Sequence, residues 1–213
     1  MKTAILFDLD GTLLDTLQDL TDATNYALAQ FGCPKRSCAY VRTIVGNGAL
    51  RQMTLALPEG SFIDPEEVLA VYKPYYQAHC AVHTRPYGGV CEAVEELGKK
   101  YALGIVTNKP HGAAVELCKE HFPGIYTLGQ EDSCPRKPDA AMVRKAMDAL
   151  GADRCVYVGD SEVDVLTAKN AGVPCLAVLW GFRDKEELKA AGAKYFCENA
   201  KDLPVMIDKI LQG

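Results

Sequence analysis

Two aspartates placed one residue apart close the first apolar run of the chain. Ala4–Phe7 is apolar, and Asp8, Asp10 and Gly11 follow it. A short apolar run ended by a turn signal is typical of a buried strand, and side chains two apart on a strand project to the same side. Such a carboxylate pair can supply a nucleophile, a general acid or base, and ligands for a divalent cation.

Further polar residues occur at the ends of later apolar runs or just before helices. They are Thr107, Asn108, Lys137, Asp160 and Asp164. Each alone fits a commonplace role, such as a helix cap, a solvated lysine or a turn residue. If the strands are parallel, however, their carboxyl ends meet at one edge of the sheet, where ligands bind in open α/β proteins. The set therefore predicts one site assembled from distant segments.

The second half of the chain alternates between helical and strand patterns. Predicted strands cover 102–106, 125–128, 155–158 and 175–179, and predicted helices cover 90–99, 113–122, 140–150 and 163–171, with tail helices near 185–191 and 203–211. Repeating units of this length predict an α/β fold with a mostly parallel sheet and helices on both faces.

Residues 17–83 follow a different pattern, without a convincing strand. The spacing predicts a helix over 17–31, two helical pieces on either side of Gly46-Asn47-Gly48, and a helix from Pro65 that is bent or broken near Pro74. We therefore expect a compact helical insertion over 17–83, and a core formed by 1–16 and 84–213.

Composition narrows the class of partner. The 213 residues are 48% hydrophobic and 24% charged, with a net charge of -5, which favours a globular protein and argues against a nucleic-acid surface. Nine scattered cysteines read as reduced thiols. With no apparent leader or membrane-spanning run, we expect a cytoplasmic protein, a monomer or homodimer, that acts on a small molecule.

Electrostatics predict a metal at the acidic edge. Four carboxylates, those of Asp8, Asp10, Asp160 and Asp164, are set against one expected cation, Lys137. A unit negative charge about 4 Å from a carboxylate costs ~4 kcal/mol at an effective dielectric of 20. A divalent cation removes this deficit, and a site of few carboxylates and waters suits Mg²⁺ better than Ca²⁺.

Four segments resemble the motifs of the haloacid dehalogenase superfamily, in that family's order. They are Asp-Leu-Asp-Gly-Thr at 8–12, Val-Thr-Asn-Lys at 106–109, Arg-Lys-Pro at 136–138 and Gly-Asp-Ser-Glu-Val-Asp at 159–164. The resemblance implies a Rossmann-like core with the first strand central, an inserted helical cap and an aspartyl-phosphate mechanism. Within the superfamily, the stretches 15–20, 45–49 and 107–110 are most similar to those of phosphoglycolate phosphatases.

The resemblance also implies a role for each site residue. Asp8 would attack phosphorus, and Asp10 would protonate the leaving oxygen, which a dehalogenase would not need. Thr107 and Asn108 would donate to the phosphoryl oxygens, and Lys137 would balance charge. The remaining roles are Mg²⁺ binding by Asp8, Asp160 and the backbone carbonyl of Asp10, orientation of a water or of Lys137 by Asp164, and substrate contact at Gly48.

Several alternatives remain open on the sequence. The same core serves inorganic pyrophosphatases, nucleotide or sugar phosphatases and phosphosugar mutases, and a receiver-like module phosphorylated on Asp8 is the non-enzymatic reading. A zinc role for His79 and His83 lacks further ligands at suitable spacing. Arg51, Arg85 and Arg183 are interpreted as solvated surface residues. The aromatic stretch Trp180-Gly181-Phe182 is interpreted as packing.

Overall fold

The computed structural model describes residues 1–212, which form a parallel sheet with helices on both faces. The strands are β1 Thr3–Phe7, β2 Leu14–Asp15, β3 Arg85–Pro86, β4 Ala102–Pro110, β5 Tyr126–Gln130, β6 Arg154–Gly159, β7 Cys175–Val178 and β8 Tyr195–Cys197. The helices are α1 Leu17–Gln30, α2 Cys38–Ile44, α3 Ala49–Ala56, α4 Pro65–His79, α5 Val90–Gly98, α6 His111–His121, α7 Ala141–Leu150, α8 Glu162–Ala171, α9 Lys185–Ala190 and α10 Leu203–Gln212.

The six-stranded sheet has the order β5-β4-β1-β6-β7-β8, and each neighbouring pair in it is parallel. β1 lies between β4 and β6, so it is central, and its five residues are buried. The predicted α/β class is confirmed. β8 is an addition, because its three residues are too short for a sequence pattern to separate from a loop.

The alternation of side chains along β1 divides the core between the two faces of the sheet. Ile5 and Phe7 pack in one apolar cluster with residues of α5, α6 and α10, and Ala4 and Leu6 pack in another with residues of α7 and α8. Strand residues alternate in direction, so a buried strand must be apolar on both faces. The uninterrupted apolar run before Asp8 meets this requirement.

Helices α1–α4, here called the helical segment, pack mainly on one another through α1·α4, α3·α4 and α1·α2 contacts. The chain enters and leaves this segment through β2 and β3, which pair antiparallel with Asp15 opposite Arg85. This ribbon holds both ends of the segment together beside the tip of β1. The division into a cap and a core stays a prediction.

Helix α4 continues through Pro74, so of the predicted bend or break the break does not occur. An interior proline costs about 3 kcal/mol. Tyr72 and Tyr76 flank it on the buried face, at 1% and 2% exposure, and burying a large side chain stabilises by about 1.5–3 kcal/mol. Pro65 at the first turn and the Asp64 cap also favour the helix. Within residues 1–212, the helices are too short or too polar to cross a bilayer.

Candidate active site

The ends of neighbouring strands bring three carboxylates together. Asp8 follows β1 and Asp160 follows β6, which pair in parallel, and the Asp8 N–H donates to the Val158 carbonyl at 2.8 Å. Asp164 lies in the first turn of α8. Asp8, Asp160 and Asp164 are buried, and each offers an oxygen within 4.8 Å of the others. Such an arrangement of oxygen ligands could hold a divalent cation.

The ammonium of Lys137 is buried among these carboxylates. Its Nζ is 2.9 Å from Asp8 Oδ1, 2.8 Å from Asp164 Oδ1 and 3.0 Å from the hydroxyl oxygen of Tyr157. Tyr157 in turn donates to the Val106 carbonyl at 2.8 Å. The hydrogen bonds to Asp164 and Tyr157, together with the ion pair to Asp8, fix the direction of the ammonium.

The site carries more negative charge than its lysine neutralises. Burial raises the pKa of Asp8 to about 6, against the attraction of Lys137 and with help from the Asp164 charge. Burial, followed by the charges of Asp164 and Asp8, also raises the pKa of Asp160. Burial opposes the charge on Lys137, but Asp164 and Asp8 outweigh it and raise the pKa of that lysine. Lys137 therefore stays an ammonium, while the carboxylates gain from any further cation.

Asp160 is held from two sides. Thr12 Oγ1 donates to its Oδ1 at 2.9 Å, and the Phe182 N–H donates to its Oδ2 at 2.8 Å. Two glycines make room for it: an added Cβ would lie 2.3 Å from Asp160 Oδ2 at Gly11, where φ is +84°, and 2.3 Å from Asp160 Cβ at Gly181. The backbone thus approaches this carboxylate more closely than any other residue type would allow.

Asp164 is positioned by the start of α8. Its Oδ2 accepts from the Asp160 N–H at 3.2 Å, the Ser161 N–H at 3.0 Å and the Ser161 hydroxyl at 2.6 Å. A carboxylate three residues after a helix-capping serine commonly folds back in this way. Oδ1 is left to face Lys137, and the orienting role of Asp164 stays a prediction.

Asp10 lines the same cavity as Asp8 and Asp160 and pairs with a lysine that sequence reasoning missed. Lys109 Nζ donates to Asp10 Oδ1 at 2.7 Å and also to the hydroxyl of Tyr76, and the lysine side chain is 1% exposed. The expectation that Lys137 is the one cation of the site is therefore wrong. The available signal was the lysine inside the Thr-Asn-Lys stretch, but a lysine is usually solvated, and the partner Tyr76 lies far away in sequence.

Thr107 and Asn108 lie near the end of β4, where the register with β5 shifts between Val106 and Pro110. Such irregularities re-aim side chains and often border active sites. Thr107 Oγ1 accepts from the Lys109 N–H at 3.3 Å, which leaves its own hydrogen free to donate, and Thr107 lines the cavity described next. The strand was expected to end at residue 106; it continues through these polar residues.

The Asn108 side chain contacts backbone on two other elements. Its Nδ2 donates to the carbonyls of Gly46 at 3.0 Å and Lys137 at 2.9 Å, and its Oδ1 accepts from the Lys137 N–H at 2.8 Å. Both amide hydrogens are thus used within the protein. If Asn108 donates to a ligand, the donor is its backbone N–H.

A small cavity separates the acidic edge from the helical segment. Its lining includes Asp8, Asp160 and Thr107 from the sheet edge and Gln52, Tyr72 and Gly48 from the helices. It leaves about 40 Å³ for the centres of water-sized molecules. Gly48, predicted as a substrate contact, has φ of +87° and lies against Arg136, whose Nη1 would be 3.1 Å from an added Cβ.

Arg183 corrects another expectation, because it is 7% exposed and not a solvated surface residue. Its Nε donates to Glu162 Oε2 at 2.8 Å, and its other nitrogens donate to carbonyls of the helical segment. Arg51 and Arg85 are exposed, as expected. Trp180 packs at the site edge, where its Nε1 donates to the Thr12 carbonyl at 2.9 Å.

A second group of potential ligands, Asp19, Asp22 and His83, lies away from the acidic edge. Asp19 already accepts from the backbone N–H groups of His83 and Thr84 and from the Thr84 hydroxyl. His83 Nε2 is 4.0 Å from Asp22 Oδ2. These contacts account for the group as a brace between α1 and the segment before β3.

Comparison with known proteins points to one family. A family model described as haloacid dehalogenase-like hydrolase matches residues 5–178. Phosphoglycolate phosphatase 1 of Pseudomonas aeruginosa is 33% identical over 93% of this chain and 77% of its own length. Phosphoglycolate phosphatase of Mesorhizobium japonicum is 35% identical over 86% of each chain.

Two further matches bear on substrate and fold. The N-acetylmuramic acid 6-phosphate phosphatase of Pseudomonas aeruginosa is 33% identical over 98% of this chain and 96% of its own. A crystal structure from Lactobacillus delbrueckii subsp. bulgaricus, provisionally named a phosphoglycolate phosphatase, superposes with a TM-score of 0.90 at 35% identity, covering 97% of this chain and 98% of that one.

Proposed function

Since the chain belongs to the haloacid dehalogenase-like hydrolases and is a phosphoric monoester hydrolase by its relatives, we propose that it hydrolyses a small phosphate monoester, with phosphoglycolate favoured, in a Mg²⁺-dependent reaction. The observation that carries the proposal is the convergence of Asp8, Asp160 and Lys137, from three separate segments, at one sheet edge. In this proposal Asp8 is the nucleophile and becomes a phosphoaspartate.

The residues present fit a divalent cation. Lys137 Nζ approaches Asp8 Oδ1 as an ion pair but without hydrogen-bond alignment, so this buried oxygen accepts no hydrogen bond within residues 1–212. Burial, with the charges of neighbouring carboxylates, raises the pKa values of Asp8 and Asp160, so a further cation beside them would favour their ionised forms. Asp8, Asp160 and the backbone carbonyl of Asp10 would hold Mg²⁺, which when bound supplies charge neutralisation for the phosphate and the nucleophile.

Asp10 acts as the general acid and the general base in this proposal. In its protonated form, the Asp10 carboxyl group gives its proton to the leaving oxygen as Asp8 attacks, and the carboxylate so formed then takes a proton from the water that hydrolyses the phosphoaspartate. Lys109 faces this carboxylate at 2.7 Å and fixes its direction. The buried pair of Lys109 with the Tyr76 hydroxyl extends this contact to the helical segment.

The phosphoryl oxygens require donors as negative charge moves from substrate to Asp8. The Thr107 hydroxyl and the backbone N–H of Asn108, on two residues that line the cavity, would be these donors, and Lys137 would balance charge on the side of Asp8 and Asp164. Each of these groups is held before substrate binds. Preorganised donors of this kind stabilise a transition state without reorganisation at the moment of reaction.

The helical segment acts as a cap in this proposal. It covers the acidic edge and leaves a cavity of about 40 Å³, which has room for a few water molecules, because one needs ~10–15 Å³ on this measure. A substrate that fills this space would displace that water before transfer to Asp8. Gly48, Gln52 and Tyr72 would face the organic half of the substrate.

The names of the relatives favour phosphoglycolate as the substrate. The relatives at 33% and 35% identity from Pseudomonas aeruginosa and Mesorhizobium japonicum are named phosphoglycolate phosphatases, whereas another at 33% identity is named N-acetylmuramic acid 6-phosphate phosphatase. Phosphoglycolate is therefore proposed first, and the larger ester is the alternative that the assay tests.

The test is phosphate release from phosphoglycolate, N-acetylmuramic acid 6-phosphate, a nucleoside monophosphate and inorganic pyrophosphate, with Mg²⁺ or with EDTA. We expect turnover of phosphoglycolate with Mg²⁺, and loss of turnover with EDTA or in Asp8→Asn. Substantial hydrolysis by Asp8→Asn would contradict the assigned nucleophile. Preference for a larger ester would keep the phosphatase and overturn the substrate.

The same assay separates the remaining alternatives. A phosphosugar mutase would return isomerised product in place of free phosphate, and a receiver-like module would accumulate a long-lived phosphoprotein on Asp8. Asp10 argues against the receiver, because an acid and base beside the phosphoaspartate speeds its loss.

A further inference from the structure

The loop after β7 and helix α2 exchange arginine side chains. Arg42 of α2 donates from Nε to the Phe182 carbonyl at 2.7 Å and from Nη2 to the Gly181 carbonyl at 3.0 Å. Arg183 donates in the other direction, from Nη1 to the Arg42 carbonyl at 2.8 Å and from Nη2 to the Val45 carbonyl at 3.1 Å. Each guanidinium thus binds the backbone that carries the other.

The two arginines differ in what else they touch. Arg183 is buried and forms an ion pair with Glu162 at the start of α8, so its place is set by the core. Arg42 is exposed, and its guanidinium donates hydrogen bonds to the carbonyls of Gly181 and Phe182. Replacing Arg42 therefore removes little packing. We expect its main effect to be on the position of the loop that carries Gly181 and Phe182.

The peptide unit between Gly181 and Phe182 links Arg42 to the acidic edge. Its carbonyl accepts from Arg42, and its N–H donates to Asp160 Oδ2 at 2.8 Å. A trans peptide is planar, with its C=O and N–H pointing in opposite directions. Rotation of this one unit would break both hydrogen bonds together. The charged donor on the carbonyl also polarises the N–H on the other side.

We infer that Arg42 is a positioning residue: by fixing the Gly181–Phe182 peptide when the helical segment is docked, it orients Asp160 for the divalent cation. The inference rests on the proposed function, because it assumes that Asp160 is a ligand. It also gives the helical segment a second task besides covering the cavity. Docking of α2 completes the metal site, and undocking loosens one of its ligands.

The chain offers a matched control for Arg42. Arg36, in the same segment, donates from Nε to the Ala56 carbonyl at 2.7 Å and from Nη2 to the Leu57 carbonyl at 3.0 Å. These two hydrogen bonds match those of Arg42 in donor atoms and distances, but both acceptors lie inside the helical segment. Arg36→Ala therefore removes equivalent bonds without touching the loop that holds Asp160.

The experiment measures binding of Mn²⁺, a probe for the Mg²⁺ site, by the loss of the free-ion electron paramagnetic resonance signal without substrate. Arg42→Ala should weaken Mn²⁺ binding about tenfold, the size expected when the charged hydrogen bond to the Gly181 carbonyl no longer holds the peptide that binds Asp160. Arg36→Ala should bind as the unaltered protein does, and Arg42→Lys should recover part of the affinity. Thermal melting checks that each variant is folded.

The outcomes separate the inference from the proposed function. Equal Mn²⁺ affinity in Arg42→Ala, Arg36→Ala and the unaltered protein would overturn the positioning role. An unaltered protein that neither binds Mn²⁺ nor hydrolyses esters would instead overturn the metal site itself. Should Arg42→Ala fail to fold, Arg42→Gln replaces it, because the shorter neutral amide cannot reach both carbonyls; unchanged affinity in that variant overturns the inference equally.

Discussion

The side-chain amide of Asn108 holds both backbone polar groups of Lys137. Asn108 Oδ1 accepts from the Lys137 N–H at 2.8 Å, and Asn108 Nδ2 donates to the Lys137 carbonyl at 2.9 Å. The lysine that bridges Asp8 and Asp164 is therefore fixed at its backbone by a residue 29 positions earlier in the chain. The position of the ammonium depends on this clamp as well as on its own ion pairs.

Replacing Asn108 should loosen Lys137 and slow catalysis. Asn108→Ala removes these two hydrogen bonds and the one to Gly46, and a displacement of about 1 Å at a catalytic group can cost about 100-fold in rate. We expect kcat for phosphoglycolate to fall by roughly that factor, with KM less affected. Steady-state kinetics measure both. Asn108→Asp keeps one acceptor and should lose activity too, and wild-type kcat in either variant contradicts the clamp.

Lys109 should matter for activity although it does not touch Asp8. Lys109→Met leaves Asp10 without its cation, so we expect kcat to fall by about 10–100-fold through misdirection of the acid and base. The control is Lys119→Met, a loss of charge at an exposed position of α6. Kinetics on phosphoglycolate decide the matter: equal rates for the two variants would show that the buried pair with Asp10 is only structural.

The sheet was predictable because a strong local pattern sets it. The apolar run of β1 presents apolar side chains to both faces of the sheet, as a buried strand requires. The repeated helix and strand units leave few alternatives to a parallel sheet. A parallel sheet then places Asp8 and Asp160 at one edge without any knowledge of contacts. The expectation that these segments converge follows from topology alone.

The missed features depend on contacts between segments far apart in the chain. Lys109 meets Tyr76 only through the packing of α4 over β4, and Arg183 becomes buried only because α2 lies against the loop after β7. From residue type alone, Lys109 and Arg183 would be expected to lie in solvent, because lysine and arginine side chains are usually exposed. A proline considered alone predicts a break in a helix, but the burial of Tyr72 and Tyr76 keeps α4 continuous through Pro74.

Gly181 should tolerate no side chain. An added Cβ would lie 2.3 Å from Asp160 Cβ and 2.4 Å from the Gly11 carbonyl oxygen, so either the loop or the carboxylate must move. We expect Gly181→Ala to lower activity at least 100-fold and stability by about 1–3 kcal/mol. Gly88→Ala is the control, because its Cβ would meet nothing within 4 Å. Urea unfolding and phosphate release measure the two effects, and normal activity would contradict the packing.

The stability of the metal-free protein should depend on pH through Asp8. Burial raises its pKa from 3.8 to about 6, so the folded protein holds a proton that the unfolded chain has released. This contribution to stability is fully present below the unfolded value and is lost as pH rises through about 6. Asp160 shifts in the same direction. In EDTA, the melting temperature should therefore decline across this range.

Mg²⁺ should reverse that decline, because it competes with protons for the same carboxylates and binds the folded state. The expected stabilisation by Mg²⁺ is larger at pH 7.5 than at pH 5, and Asp8→Asn should show a weaker pH dependence in EDTA and a smaller response to Mg²⁺. Differential scanning calorimetry at both pH values, with EDTA or Mg²⁺, measures all four conditions. A Mg²⁺ effect equal at the two pH values would mean that the ion binds elsewhere than at the buried carboxylates.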